Sequence, residues 1–515
     1  MAIAGLNLDA RKLAGAAPAS LARVDRSQWM RAARVVREGG GRLVALWGSD
    51  NRDRDRTFAI HAAYGTRSGL VVLELPVPAG TPVYPGLAEV FPGALRMQRA
   101  LDDLLGARAE GGADHRQWLR HGAWREGEYP LRRDFDEPAA RENAADNYPF
   151  VRVEGDGVHE IAVGPIHAGI IEPGHFRFSV VGEKVLRLEA RLGYTHKGID
   201  RRFGDFDIAT GYRLAGRLSG DSTVALAWAY AQAAESLVAI EAPPRAAWLR
   251  ALMLERERIA NHLGDLGALG NDAALGFALS QFMRLKEDWL RMSDAAFGHR
   301  FMMDRIVPGG VAGDLADAMR ERLVAHAHAI EVDVRSFQDV FDEHSGLQDR
   351  FITAGRVTPD LARTLGLFGL AGRASAQAFD LRCDFPCAPY DRLGVRKVVH
   401  ANGDVAARVK VRFDELYESL RLVREIVAGL PAGETRITLP DAVPGAMGFG
   451  WVEGWRGEVL VALEAGDANR IRRGHAHDPS WQSWPVLEHA VIGNIVPDFP
   501  LINKSFNMSY SGEDC

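Results

Sequence analysis

Four short apolar runs in the first 200 residues predict β-strands. Residues 42–47 (RLVALW) and 70–75 (LVVLEL) are rich in aliphatic side chains and alternate with helical patches. Residues 176–181 and 185–192 form a second pair of apolar runs, which the turn sequence Gly-Glu-Lys joins in the manner of a β-hairpin. The mixture of strands and helical patches over residues 25–135 predicts a small α+β domain.

Helical periodicity dominates from residue 222 onward. Ser222 is a suitable N-cap for an apolar run that continues to Leu237, and Pro243-Pro244 marks the start of another helix. Residues 313–345 and 411–428 carry apolar side chains at three- and four-residue spacing, which indicates long helices. We therefore expect an α+β N-terminal domain followed by a mainly α-helical domain with a small β-sheet.

Polar segments divide the chain into four parts. We predict a flexible N-terminus over residues 1–24, the α+β domain over 25–135, a linker over 136–149 and the helical domain over 150–515. The linker prediction rests on a polar, non-periodic sequence with one proline. No apolar run approaches the roughly 18 residues that cross a bilayer. We expect a chain without a membrane span, located in the cytoplasm.

The composition is that of an ordinary globular protein. The 515 residues are 47% apolar and 25% charged, which is enough for two or three domains with sizeable cores. A formal net charge of −6 gives no basic surface for nucleic acid. Cys383, Cys387 and Cys515 are too few for a disulfide framework. The C-x3-C spacing of the first two is not that of a zinc site, so structural thiols are favoured over a redox or metal role.

Five motifs occur in a fixed order after residue 150. They are GPIHAGIIEPGHF at 164–176, GYTHKGI at 193–199, RLSGDS at 217–222, RERIANHL at 256–263 and VPGGV at 307–311. In this order they resemble the large subunit of energy-converting nickel–iron hydrogenases of the hydrogenase-4 and formate hydrogenlyase type, and the 49 kDa-type subunit of respiratory complex I. The resemblance covers roughly residues 150–515.

A second resemblance covers the N-terminal domain. The sequences YPGL at 84–87, DDLLG at 102–106 and PLRRDF at 130–135 are similar to those of the 30 kDa-type subunit of complex I. In formate hydrogenlyase-type complexes this subunit is often fused in front of the large subunit. The order of the two parts in this chain therefore fits such a fusion.

The resemblance implies a metal site that this sequence does not complete. The hydrogenase large subunit holds nickel and iron with four cysteines in two C-x2-C pairs, and the first pair falls on Ser219 and Ser222. The second pair aligns best with Asp498 and Leu501. A serine hydroxyl that keeps its proton does not replace a soft, anionic thiolate. We expect no metal and no cofactor bound by this chain, and no hydrogenase activity.

The quinone site of complex I is also incomplete. The tyrosine that complex I offers to the quinone headgroup falls on Gly220, and the second histidine of its G-P-x-H-x-x-x-H loop falls on Ile171. The first histidine is kept as His167. A quinone therefore remains a possible substrate, although the site is not built as it is in complex I.

Several retained residues suit proton transfer. Glu172 matches the hydrogenase glutamate that relays protons, and His167 and His175 lie close to it in sequence. Asp221, between the two serines, offers a second carboxylate. The alternatives are a structural ion pair for Glu172 and capping of a helix N-terminus for Asp221.

Four other residues are candidates for cofactor contact. By resemblance, Lys197 and His262 take positions beside the 4Fe-4S cluster of a partner small subunit, where a cation and an imidazole raise the cluster's potential. A surface lysine and a helix-packed histidine are the alternative. Arg217 and Arg382 are motif charges in an apolar region, which either brace the former metal cavity or face a ligand.

Two functional hypotheses follow from the resemblance. In the first, the chain is a subunit of a membrane-associated oxidoreductase that couples electron or proton transfer to ion translocation, with chemistry like that of NADH–quinone oxidoreductase. It would dock an iron–sulfur small subunit and ion-translocating subunits on the cytoplasmic face of the inner membrane. In the second, it is a redox-inactive structural subunit of such a complex. The chain has no G-x-G-x-x-G fingerprint for NAD itself.

Overall fold

The N-terminal domain is a mixed sheet with two helices. The structure, a computed structural model, describes residues 6, 8–112, 114–136 and 147–515. The elements of this domain are β1 (Ala10–Lys12), β2 (Ala19–Arg23), α1 (Arg26–Glu38), β3 (Arg42–Asn51), β4 (Thr57–Thr66), β5 (Gly69–Pro78), β6 (Val83–Pro85), α2 (Ala94–Leu105) and β7 (Arg108–Glu110).

The main sheet of this domain has five strands in the order β1-β2-β5-β4-β3. Strand β2 runs parallel to β5, and the other neighbours are antiparallel. Helix α1 begins with a reciprocal cap, because Asp25 Oδ1 accepts the Gln28 N–H at 2.8 Å and Gln28 Oε1 accepts the Asp25 N–H at 3.0 Å. The predicted α+β class is confirmed.

The prediction of a flexible N-terminus is wrong for residues 10–23. This segment contains β1 and β2, and β2 is held by its parallel pairing with β5. Ala19 and Ala22 of β2 are 5% and 1% exposed because each faces one of two hydrophobic core clusters. Small alanine side chains gave no strand signal in the sequence. Of the predicted linker, residues 137–146 lie outside the described residues, so the linker stays a prediction there.

The C-terminal domain is mainly helical with small sheets, as predicted. Its elements are β8 (Val158–Val163), β9 (His175–Val181), β10 (Lys184–Arg191), α3 (Ile199–Arg202), α4 (Tyr212–Ala215), α5 (Thr223–Leu237), α6 (Pro244–Asp272), α7 (Gly276–Phe297), β11 (Ile306–Val307), β12 (Gly310–Val311), α8 (Asp317–Glu343), α9 (Ser345–Phe351), α10 (Pro359–Leu365), α11 (Gly369–Arg373), α12 (Leu381–Asp384), α13 (Tyr390–Leu393), α14 (Val405–Gly429), β13 (Met447–Glu453), β14 (Glu458–Ala465), β15 (Ile471–His477), α15 (Ser480–Ala490), α16 (Phe499–Phe506) and α17 (Tyr510–Asp514).

Helix α5 lies directly on the sheet β13-β14-β15. Gly448 and Gly450, two residues apart and so on one face of β13, meet Ala233 and Ala229 of the helix. A Cβ atom at Gly450 would lie 1.8 Å from the Ala229 carbonyl oxygen, and one at Gly448 would lie 2.2 Å from the Ala233 carbonyl oxygen. Only glycine allows this distance between helix and strand.

The two domains share a buried interface. Trp47 of β3 stacks on His475 of β15 with the ring centroids 5.1 Å apart. Arg42 of β3 makes a bidentate pair with Glu458 of β14, with N···O distances of 2.8 and 2.7 Å, and both side chains are less than a tenth exposed. The sheets of the two domains therefore form one continuous core.

No helix in the described ranges is long and apolar enough to cross a membrane.

The α5–β13 contact predicts a specific stability effect. Gly450→Ala should lower the free energy of unfolding by about 1–3 kcal/mol or more, because the added methyl group overpacks the interface. Gly276→Ala is the matched control, since a Cβ at that position meets nothing within 4 Å. Urea unfolding of the two variants measures the difference. Equal midpoints would show that the helix can move away from the strand at little cost.

Candidate functional site

A cavity of about 350 Å³ lies where three segments of the C-terminal domain meet. They are the loop before β9, the turn before α5 and the C-terminal residues around α16 and α17, and the turn between β13 and β14 closes the cavity from one side. We call it the central cavity. Its polar lining includes Glu172, Ser219, Asp221, Arg456, Ser509 and Tyr510.

An ion pair between Asp221 and Arg456 occupies one wall of the central cavity. Arg456 Nη1 donates to Asp221 Oδ1 at 2.7 Å and to Ser222 Oγ at 3.0 Å, while Nη2 donates to Asp221 Oδ2. The Arg456 side chain is 7% exposed and that of Asp221 is 39% exposed, so the carboxylate faces the cavity. Burial raises the pKa of Asp221, but Arg456 outweighs this effect and lowers it. Asp221 is therefore ionised at neutral pH.

Three serine hydroxyls continue from this ion pair. Ser219 Oγ donates to Asp221 Oδ1 at 2.9 Å and lies 2.9 Å from Ser509 Oγ. Ser509 Oγ lies 3.4 Å from Ser511 Oγ. We call Ser219, Ser509 and Ser511 the serine chain. Because each hydroxyl is both a donor and an acceptor, the chain can pass a proton by rotation of its O–H groups.

The segment opposite residues 219–222 is 509–512, and the alignment of the second ligand pair with 498–501 is wrong. Neither Asp498 nor Leu501 lines the central cavity. Asn507 adopts a left-handed conformation (φ 47°) that ends α16 and turns the following residues back toward Ser219. The two positions that correspond to the second ligand pair are therefore Ser509 and Gly512, which are three residues apart.

These four positions do not fit a nickel–iron centre. They hold three serines and one glycine, and no thiolate. A Cβ atom at Gly512 would lie 2.7 Å from Asp478 Cγ, so a buried carboxyl group takes up the space of a side chain at position 512. Within the described part of the chain, no group of three or more histidine, cysteine, aspartate or glutamate side chains is arranged to hold a metal ion.

The three cysteines lie away from the central cavity and are not bonded to one another. Cys383 Sγ donates to the Val395 carbonyl at 3.5 Å, and Cys387 Sγ accepts from Gln232 at 3.8 Å. Burial raises the pKa of both thiols to about 11. They stay protonated at neutral pH, which favours a structural role.

The loop before β9 closes over the C-terminal residues. Glu172 Oε2 accepts the Ser511 N–H at 3.0 Å, and His167 Nε2 lies 3.2 Å from the Tyr510 hydroxyl. Glu172 is exposed at the mouth of the cavity. His175 does not line the cavity, because its Nδ1 lies 3.3 Å from the Gly164 carbonyl oxygen of its own loop and burial lowers its pKa. The structure thus brings Glu172 to the site, places His167 behind Tyr510 outside the cavity lining, and leaves His175 beside it.

Lys197 and Arg217 lie at the surface near the 219–222 turn. Lys197 is exposed, and its Nζ is 3.4 Å from the Leu218 carbonyl oxygen. Arg217 makes a bidentate pair with Asp304, with both distances 2.7 Å. Neither side chain lines the central cavity. Lys197 is in a position to meet a partner, whereas Arg217 is already held by an aspartate.

His262 and Arg382 are buried in a network of charged side chains. His262 is 0% exposed, and its Nε2 lies 3.0 Å from Glu415 Oε2. Arg382 is 4% exposed and pairs with Asp380 at 2.7 Å and with Glu255 at 3.1 Å. Neither residue reaches the surface of the chain. This placement favours a bracing role for both, and cofactor contact through them stays a prediction without support from the geometry.

Two family models match the chain. Residues 22–141 match the respiratory-chain NADH dehydrogenase 30 Kd subunit, and residues 274–447 match the respiratory-chain NADH dehydrogenase 49 Kd subunit. The chain therefore joins a region that matches the 30 Kd family to a region that matches the 49 Kd family, in the order expected of a fusion. The resemblance to complex I in both parts of the chain is confirmed.

Several relatives match the chain across both of its parts. Formate hydrogenlyase subunit 5 of Escherichia coli is 29% identical over 488 residues, which cover 92% of this chain and 85% of that protein. Hydrogenase-4 component G of the same organism is 28% identical over 484 residues, covering 92% and 84%. The C/D subunit of NADH-quinone oxidoreductase from Phocaeicola vulgatus is 27% identical over 420 residues, covering 78% and 80%.

A solved structure has the same fold. A chain of the membrane-bound sulfane sulfur reductase, described as an archaeal respiratory membrane complex, aligns with a TM-score of 0.66 and 24% identity. The alignment covers 70% of this chain and 99% of that chain. The likeness shows that about 70% of this chain shares its fold with that solved structure.

Sequence reasoning missed Glu257, a buried residue beside the central cavity. Its carboxylate accepts the N–H groups of Val224 and Ala225, at 2.6 and 3.2 Å, and so caps α5. Ser222 precedes the helix as predicted, but its side chain does not cap it. Burial raises the pKa of Glu257 to about 8. The glutamate was visible in the RERIANHL motif, but its contact with another helix was not.

The raised pKa of Glu257 predicts a pH-dependent stability. In the unfolded chain a glutamate titrates near about 4.3, so between that pH and about 8 the folded protein binds more protons than the unfolded one. Stability therefore falls as the pH rises through this window. Glu257→Gln removes this loss, and we expect it to gain at least about 1 kcal/mol relative to the native chain between pH 5 and pH 9.

Thermal unfolding of both proteins at pH 5, 7 and 9 measures this effect. Glu321→Gln, which removes the same charge from an exposed position on α8, is the control. If the unfolding temperatures of the native and Glu257→Gln proteins change with pH in parallel, Glu257 ionises normally.

Proposed function

We propose that this chain is the large subunit of a membrane-associated oxidoreductase, related to complex I and to hydrogenase-4, whose central cavity transfers protons and holds no nickel–iron centre. The complex couples electron or proton transfer to ion translocation. The observation that carries this proposal is the replacement of a thiolate cage by an ion pair and a chain of hydroxyls, Asp221–Arg456 with Ser219, Ser509 and Ser511.

The electrostatics of the central cavity suit proton transfer. Asp221 is ionised and accepts a hydrogen bond from Ser219, so it can take a proton from the serine chain. Arg456 stabilises the carboxylate between transfers and keeps the net charge of the pair at zero. The inner end of the path is thus a carboxylate, which can bind and release a proton while its partner cation stays in place.

The outer end of the same path is Glu172. It is exposed, lines the central cavity and is bonded to the backbone of Ser511, whose hydroxyl ends the serine chain. Water in the cavity would bridge the carboxylate and the hydroxyl. A proton taken up by Glu172 from solvent can therefore reach Asp221 through cavity water and the serine chain.

In this proposal, partner subunits supply the 4Fe-4S cluster and the attachment to the membrane. Its relatives include formate hydrogenlyase and NADH-quinone oxidoreductase subunits, and its structural relative belongs to a respiratory membrane complex. By analogy, a small subunit with a 4Fe-4S cluster docks near Lys197, and ion-translocating membrane subunits attach the assembly to the cytoplasmic face of the inner membrane. Quinone is the acceptor that this analogy favours, with NADH as a source of electrons.

A second candidate is a redox-inactive structural subunit that anchors the small subunit on an ion-transporting complex. The observation in its favour is that Asp221 and Arg456 neutralise each other and that Asp478 fills the space beside Gly512. We expect a structural subunit to keep a stable cavity wall in which the charged side chains are paired. The two candidates differ in whether the carboxyl groups of the cavity need to titrate.

Substitution of the two carboxylates separates these candidates. Asp221→Asn and Glu172→Gln keep the shape and one of the two acceptor oxygens of each side chain but remove the titrating groups. If the cavity relays protons, quinone-linked turnover and ion translocation by the purified complex should fall at least about 100-fold. Glu183→Gln, at an exposed hairpin turn, is the control and should have native turnover.

The measurement requires the native complex purified from membranes. Metal analysis and EPR of the reduced complex test for iron with a 4Fe-4S signal and for nickel, and size-exclusion chromatography checks assembly of each variant. Full assembly with native turnover in both variants would reject the proton relay. An iron-free, nickel-free complex would support the structural subunit.

A further inference from the structure

A charged cleft of about 920 Å³ lies between the two domains. We call it the interdomain cleft. Its lining comes from β3 and residues 131–133 of the N-terminal domain, and from α3 and the connection between β14 and β15 of the C-terminal domain. None of the described residues lines both this cleft and the central cavity. The interdomain cleft is therefore a second concave site, separate from the proposed proton relay.

Positive charge predominates in the interdomain cleft. Its described lining contains seven arginines and five acidic residues. The chain as a whole carries a formal net charge of −6, so this excess of positive charge is local. A concave site with an excess of one charge attracts ions of the other sign. The cleft is thus suited to an anion.

Most of the acidic residues of the cleft are already neutralised. Four of the five are paired with arginines, as Asp50–Arg52, Asp53–Arg472, Asp200–Arg473 and Glu464–Arg54. The side chains of Arg472 and Arg473 are 8% and 11% exposed, so these two arginines are held in place by their partners. The fifth acidic residue, Asp467, is exposed to solvent and forms no ion pair with any described residue.

Three arginines of the cleft have no acidic partner. Arg132, Arg201 and Arg470 form no ion pair with any residue in the described ranges. Their guanidinium groups donate to backbone carbonyl oxygens instead. A carbonyl carries no net charge, so the positive charge of the three side chains is not compensated within the described part of the chain.

Backbone hydrogen bonds bring these three arginines together across the domain boundary. Arg201 of α3 donates to the Pro130 carbonyl at 2.7 Å, so its guanidinium lies against the segment that carries Arg132. Arg470 donates at 3.1 Å to the Gly204 carbonyl, in the turn that follows α3. The three side chains therefore line the same region of the cleft.

Each of these guanidinium groups keeps N–H donors for a ligand. A guanidinium has five donors, and the bonds of Arg132, Arg201 and Arg470 to described residues use one, two and one of them. Arg132 also stacks on Tyr129, with its guanidinium carbon 4.0 Å from the ring centroid. Burial lowers the pKa of Arg132, an effect that a bound anion would offset. Planar forks held in this way match the oxygen pairs of phosphate and carboxylate groups.

The size and the polarity of the cleft favour a small molecule over a protein segment. Pockets for small molecules have volumes of about 300–1,000 Å³, and this cleft lies within that range. The apolar side chains of its described lining are those of Leu131, Pro444 and Ile471. A docked peptide would bury little apolar surface against them, whereas an oxyanion would gain charge-assisted hydrogen bonds.

We propose that the interdomain cleft binds a small molecule that carries a multivalent oxyanion, a phosphate ester or a polycarboxylate, through Arg132, Arg201 and Arg470. Arg132 belongs to the N-terminal domain, and the other two arginines belong to the C-terminal domain. The ligand therefore bridges the domains and stabilises their contact. This site goes beyond the proposed function, because it involves neither the serine chain nor the carboxylates of the central cavity.

Calorimetric titration of the purified full chain tests the site, with pyrophosphate and with citrate as probes and with the ionic strength fixed by chloride. Arg201→Gln and Arg470→Gln should each weaken binding at least about tenfold, because each removes charge-assisted hydrogen bonds. Arg37→Gln is the matched control. Its guanidinium likewise donates to a backbone carbonyl, that of Arg363 at 2.9 Å, but does not line the cleft, so binding should be native.

Two further comparisons identify the ligand and check folding. Tighter binding of pyrophosphate than of citrate supports a phosphate-bearing ligand, and the reverse order supports a polycarboxylate. The anion should raise the unfolding temperature of the native chain and of Arg37→Gln more than that of the cleft variants. Arg201→Lys keeps the charge and loses the planar fork, so it covers the case in which a glutamine variant does not fold, and it should also bind more weakly than the native chain.

A structure of the full chain with the tighter-binding anion gives an independent readout. We expect its oxygens within about 3.2 Å of the guanidinium nitrogens of at least two of the three arginines. An anion bound elsewhere, binding of both probes no tighter than that of chloride, or native affinity in both glutamine variants would overturn the site. None of these readouts involves turnover, so failure of this site and failure of the proton relay are distinguishable.

Discussion

The C-terminal domain depends on the ion pairs of one buried arginine, Arg373. It is 0% exposed and is held at 2.7 Å by Glu415 and at 2.7 Å by Glu453. A buried guanidinium without such partners would cost several kcal/mol, so these contacts fix α11, α14 and β13 in one arrangement. Arg456 follows Glu453 by three residues, and the network therefore also sets the position of the cation over Asp221.

The central cavity has a charge balance that differs from that of a thiolate metal site. A thiolate cage concentrates negative charge that a metal must balance. The hydroxyls of Ser219 and Ser509 are neutral, and the only strong charges beside them are the paired Asp221 and Arg456. Asp478 occupies the volume that the fourth ligand side chain would need. The cavity can thus exist without a metal and with its polar groups satisfied.

The sequence was sufficient for the coarse architecture and for part of the site. Strong apolar periodicity located β3, β5, α8 and α14, and the turn between β9 and β10 was found from its glycine. It was insufficient for β1 and β2, where short alanine-containing strands carry little intrinsic signal. It also misplaced the second half of the site, because the alignment at 498–501 followed a proline, whereas residues 509–512 carry none of the cysteines of the motif.

The sequence by itself determined the resemblance to the two subunit families, the order of the two domains and the absence of thiolates from positions 219 and 222, since these are properties of residue identity and spacing. The tertiary structure decided which side chains meet. Ser219 and Ser509 are 290 positions apart and lie 2.9 Å from each other, and Asp200 reaches His475 across a similar separation. Such contacts arise from chain packing and the desolvation of charges, which no local pattern of residues records.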